Sequence, residues 1–172
     1  MMDSLLERIA NPLHLALAIV AGWLVLSSPW VELYRQLPAD AGWITRLHVW
    51  LGWATLLLGL VYLAVCARGA RWRMYFPWAA GQMDAVWRDV AGIFRGEVPS
   101  VEGGGLFALI EGLLLLALVA AGLSGALWFI TEGSSAALGW RDWHIVAARA
   151  AVALLVLHAV SVSLHLLDFV RG

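Results

Sequence analysis

Lysine is absent from this chain; all 11 basic residues are arginine, which reads as genome composition rather than chemistry. Cysteine occurs once, at Cys66, so no internal disulfide can form. The motif C-x-x-C-H does not occur, which excludes c-type covalent attachment of a haem. Charge is scarce at 13% of residues and nearly cancels, to a net −1. A chain with no basic excess is not built for nucleic acid. There is no internal repeat and no low-complexity tract. What the chain has in plenty is apolar surface. Its 172 residues are 62% hydrophobic with a mean hydropathy of +0.82, against roughly 45–50% apolar in a soluble domain. The expectation is an all-α integral membrane protein, a single domain over residues 1–172, too small for more than one transmembrane bundle.

A membrane-crossing helix needs about 20 mainly apolar residues. Four stretches qualify, at about 13–31, 47–66, 106–130 and 143–170. The first stands where a signal peptide would and ends in Ser27-Ser28-Pro29. Only Arg8 precedes it, offset by Asp3 and Glu7, and no clear small-residue cleavage motif follows, so it reads as a mature helix. The long connection between the second and third spans holds Arg68, Arg71, Arg73, Arg88 and Arg95. The two short connections hold only Arg35, Arg46 and Arg141. The positive-inside rule then places the long connection and both termini in the cytoplasm. Trp30, Trp43, Trp128, Trp140 and Trp143 gather at the opposite ends of the spans and read as an outer interfacial belt.

Within the long connection, GQMDAVWRDVAGIFRG puts Met83, Val86, Trp87, Val90, Ile93 and Phe94 on one helical face. Asp84, Arg88, Asp89 and Arg95 lie towards the other. This predicts a short cytoplasmic amphipathic helix lying on the inner surface of the membrane. Glu102-Gly103-Gly104-Gly105 lacks the preceding strand of a phosphate-binding loop and reads as a hinge into the third span.

All five histidines fall within the spans. An ionisable side chain inside a membrane is costly, which makes each a candidate functional residue. Depth sorts them. Counting 1.5 Å per helical residue from the outer tryptophans, His48 and His144 share an outer level, while His14 and His158 share a level roughly 21–24 Å deep. His144 and His158, fourteen residues apart on one helix, point within about 40° of each other. Two histidine pairs at two levels suit two stacked haems, each with two axial imidazoles. Gly22, Gly52 and Gly59 follow the stripes of His14 and His48, either to admit a flat macrocycle or to pack helices closely. His165 lies deeper again and is the spare, left for a haem propionate, a quinone or the inner interface.

PLHLALAIVAGWLVL in the first span, RLHVWLGW in the second, and H-x13-H followed by x6-H in the fourth carry a resemblance. The chain resembles the bacterial cytochrome b561 and nickel-iron hydrogenase cytochrome b family, which includes the formate dehydrogenase gamma subunit. The resemblance covers nearly the whole chain and implies a four-helix membrane bundle with two haem b groups. It assigns His14 and His158 to the inner haem and His48 and His144 to the outer one, as axial ligands to iron. It further implies electrons entering from a periplasmic or membrane-associated redox subunit, such as a hydrogenase, a dehydrogenase or a cytochrome c, and leaving to quinone. The long connection before EGGGLFALIEGLLLL looks more like the hydrogenase and formate dehydrogenase branch. The third span has no histidine, so a third haem is not expected.

Among the charges, Arg149 and Arg46 are the candidates for haem propionates, since guanidinium binds carboxylate in a bidentate fork; Arg46 reads equally as an exposed interfacial charge. Glu111, inside the third span, is a candidate proton relay to a quinone or a protonated carboxyl bonded to a neighbouring helix. Asp168 and Glu132 lie at span ends and read as solvated. Three rival readings stand beside the electron conduit: a stand-alone oxidoreductase of the same fold using superoxide or another small donor, a non-haem metal binder or transporter, and a structural assembly subunit. Nothing in the chain resembles a pocket for hydrolysis or group transfer.

Overall fold

The computed structural model describes residues 2–69, 71–99 and 104–171, with side chains described between 10 and 166 of these. It is all-helical. Six α-helices are described: α1 (Met2–Ser27), α2 (Trp43–Cys66), α3 (Trp72–Tyr75), α4 (Asp84–Ile93), α5 (Leu106–Ile130) and α6 (Ala136–Arg171), with a 3-10 turn at Ser28–Trp30. Four contain stretches long and apolar enough to cross a membrane: Ala10–Trp30, Trp43–Cys66, Leu106–Ile130 and Ala136–Leu166. The 25 residues of α5 span roughly 37 Å, more than the hydrocarbon core of about 30 Å.

The helix ends have local causes. Ser27 Oγ donates to the Leu24 carbonyl at 3.3 Å and Ser28 Oγ to the Val25 carbonyl at 2.8 Å, taking carbonyls that end the helix. Pro29 then offers no N–H to continue it. Helix α6 begins at Ala136, seven residues before the expected start of the fourth span at about 143. Trp140, Arg141 and Asp142 lower the hydropathy there without interrupting the helical backbone.

The chain divides into two compact units. The first comprises Met1–Val65 and Ala117–Arg149, the second Cys66–Leu116 and Ala150–Gly172. In the first, α1 buries Ala10, Leu17 and Ala21 along one face. Helices α2 and α5 approach closely. A Cβ on Gly59 would meet Val119 Cγ2 at 3.2 Å, and one on Gly122 would meet Leu56 Cβ at 2.9 Å, so these glycines let the backbones pack without side chains between them. The connection after α1 is fastened to the turn after α5. Arg35 donates to the Gly133 carbonyl at 3.1 Å, and the Leu37 N–H donates to Glu132 Oε2 at 3.0 Å. Glu132 is therefore half-buried and holds a backbone N–H, not simply solvated as expected.

In the second unit, α4 covers most of the expected amphipathic stretch. Val86 and Gly92 are buried, while Trp87 is 63% and Phe94 87% exposed. Asp89, expected on the solvent side, accepts the Leu106 N–H at 2.7 Å and so caps the first turn of α5. A Cβ on Gly105 would collide with the Asp89 carboxylate, so the cap requires glycine there. Gly104 has φ +80°, a left-handed conformation that also favours glycine. Glu102 and Gly103 of the expected hinge lie outside the described residues.

Candidate functional site

Helix α2 carries one stripe that organises the first unit. His48, Gly52, Thr55, Gly59 and Tyr62 all point within roughly 40° of His48. Gly59 fixes the direction of this stripe, because it meets Val119 of α5. At the start of the stripe the His48 and His144 rings stand 6.3 Å apart between centroids, with planes at 85°. At its far end Tyr62, 6% exposed, stacks on His14 of α1, with centroids 5.7 Å apart and planes 17° apart. Tyr62 follows His48 by fourteen residues, so the two ends are roughly 21 Å apart along the helix.

His144 is held by α5, the one long helix without histidine. Its Nδ1 lies 2.8 Å from the Ala121 carbonyl oxygen. A carbonyl can only accept, so Nδ1 carries the proton and Nε2 keeps its lone pair free for a metal. A Cβ on Gly125 would stand 3.1 Å from this Nδ1 and 3.3 Å from Cε1, so the ring fits only because that side chain is missing. Three polar atoms in this unit are buried without a partner among the described residues: His48 Nδ1, Thr55 Oγ1 and Trp128 Nε1. Trp128 was expected in an interfacial belt, yet its N–H is turned inward. Trp30, Trp43 and Trp143 of the same expected belt are exposed.

The second unit holds the remaining candidates. His158 is half-buried on α6 and Glu111 half-buried on α5. The exposed His165 ring meets Phe107 of α5 edge-on, with centroids 6.4 Å apart and planes at 72°. Phe107 and Glu111 are one helical turn apart on the same side of α5. Asp168 lies outside the described side chains.

The arginines expected at propionates do not share the direction of their neighbouring histidines. Arg149 lies roughly 140° around α6 from His144, and Arg46 roughly 160° around α2 from His48. Both are exposed, and Arg46 donates to the Ala39 carbonyl.

A family model described as prokaryotic cytochrome b561 matches residues 6–167. The chain belongs to the prokaryotic cytochrome b561 family. No curated protein and no solved structure matches it. Membership makes this cytochrome a multi-pass membrane protein that binds haem b and transfers electrons.

The residues present fit such a group. A metal–imidazole bond is about 2.0–2.1 Å, so two imidazoles with one metal between them have ring centroids roughly 6 Å apart, close to the 6.3 Å of His48 and His144. Among the described residues no group of three or more His, Cys, Asp or Glu converges to hold a bare ion. A pair of histidines suffices when the metal brings its other ligands with it, as iron in a macrocycle does. A Cβ on Gly52, one turn past His48, would meet nothing within 4 Å, which is room for a flat ring beside the histidine. Gly22 is equally open, whereas Gly59 serves helix packing.

Proposed function

We propose that this cytochrome carries electrons through the inner membrane on two haem b groups, one held by His48 and His144, the other by His14 and His158. The observation that carries the reading is the close His48–His144 pair, 6.3 Å between ring centroids, with His144 fixed by the Ala121 carbonyl in the tautomer that leaves Nε2 for iron. Haem b supplies one-electron chemistry at iron. The chain's residues supply orientation, a low-polarity surround and ligands.

The second site is supported by equal spacings. On α2, fourteen residues separate His48 from Tyr62, against which His14 stacks. On α6, fourteen residues separate His144 from His158. The arginine-rich stretch from Arg68 to Arg95 supports a cytoplasmic position for α3 and α4 and for both termini. His48 and His144 then lie near the periplasmic side, where a redox partner subunit would deliver electrons. Quinone is the proposed acceptor near the opposite side, with Glu111 and His165 available for proton transfer beside Phe107. The direction of flow follows from the family resemblance.

The test is a reduced-minus-oxidised absorption spectrum of the purified protein with haem quantified per chain. Two low-spin b haems per chain are expected. One haem would remove one of the two proposed sites, and His14→Ala and His48→Ala would show which. Protein free of haem after careful preparation would overturn the reading.

A further inference from the structure

Helix α5 contributes no side-chain ligand, yet its backbone reaches the neighbouring His144 ring. In a regular helix the Ala121 carbonyl points along the axis at the Gly125 N–H. Here the same oxygen also meets His144 Nδ1 at 2.8 Å and Ser124 Oγ at 3.1 Å. The Ser124 hydroxyl, 6% exposed, has a shorter bond to the Ala120 carbonyl at 2.7 Å. A serine hydroxyl that bonds back to the preceding turn competes with other donors for those carbonyls. Gly125, next in sequence, leaves the space through which the His144 ring comes within reach.

We propose that Ser124 and Gly125 are positioning residues for His144, together setting the strength of its Nδ1–H···O=C bond to Ala121 and thereby the redox potential of the haem it would hold. This rests on His144 being an axial ligand. A stronger bond at Nδ1 makes the imidazole a better donor at Nε2. A better donor favours ferric over ferrous iron, so the potential falls. The one Ser124 hydroxyl proton is shared between the Ala120 and Ala121 carbonyls, and its longer arm to Ala121 competes with His144 for that oxygen. Removing the hydroxyl strengthens the bond to His144. A methyl at Gly125 pushes the ring away and weakens it. The two substitutions therefore act in opposite directions, which a general loosening of the helix does not produce.

The experiment is a redox titration followed by absorbance, with electron paramagnetic resonance of the oxidised protein, on the purified full chain and its variants Ser124→Ala, Ser124→Thr and Gly125→Ala. His48→Ala and His144→Ala identify the affected haem and test the ligand assignment separately. The expected results are a lowered potential in Ser124→Ala, a potential near wild type in Ser124→Thr, which keeps the hydroxyl, and a raised potential with shifted g-values in Gly125→Ala. Both shifts fall on the haem that His48→Ala removes. Wild-type potentials and g-values in both Ser124→Ala and Gly125→Ala overturn the proposal, as does a shift of the same sign in both. If Ser124→Ala loses its haem, Gly125→Ala decides by the sign of its shift. Full haem and unchanged low-spin signals in His48→Ala and His144→Ala would instead overturn the ligand assignment.

Discussion

Under the proposed ligation, replacing His48 or His144 by alanine removes one of the two imidazoles that hold the same haem. Each variant is expected to lose the same haem and to fall from two haems per chain to one, measured by pyridine haemochrome. His165→Ala is expected to keep both haems, because its ring packs edge-on against Phe107 of α5. The histidines were legible in the sequence because imidazole is a rare letter inside a membrane and helical spacing converts position into depth. The groups that fix His144 were not. The Ala121 carbonyl has no letter of its own, and Gly125 reads like any glycine in an apolar helix until the ring is seen against it. Arg46 and Arg149 stand near the histidines in sequence but around the far side of their helices. At the surface, Arg95 pairs with Glu97 at 2.8 Å, and its guanidinium holds the Glu97 carboxyl below the usual carboxylate range. Both are fully exposed, and exposed pairs contribute little. Arg95→Ala is expected to leave the thermal midpoint unchanged within error.

The four long helices could be read from runs of apolar residues, since a span is a matter of length and hydropathy. Their ends could not, because polar residues such as Arg141 and Asp142 lower hydropathy without breaking a helix. Helix α4 was predicted by its period, but the role of Asp89 was not, because it depends on a contact seventeen residues away, where its carboxylate meets the first N–H of α5. That cap makes a specific demand. Removing a capping carboxylate typically costs about 1 kcal/mol. Asp89→Ala is expected to lower the thermal midpoint of the detergent-solubilised protein and to raise protease sensitivity between α4 and α5. Gly105→Ala is expected to do the same, because its Cβ displaces the carboxylate. An Asp89→Ala protein with unchanged melting and proteolysis would show that the α4–α5 cap adds no stability.

For the molecule as a whole, the skewed arginine count predicts orientation. With Cys66 replaced by serine, a single cysteine at Asp40 is expected to react with an impermeant maleimide from the periplasmic side. One at Arg68 is expected to react only after the inner membrane is opened. The reverse pattern would invert the topology. The binding of His144 to α5 has a consequence for biogenesis. The ring is already locked in its metal-binding tautomer by a backbone carbonyl, a contact that depends on no cofactor. Under the proposed ligation, a newly inserted chain would meet haem with one of the two imidazoles of that site prearranged. Cofactor loading becomes a capture by a ready-made jaw instead of a search among rotamers.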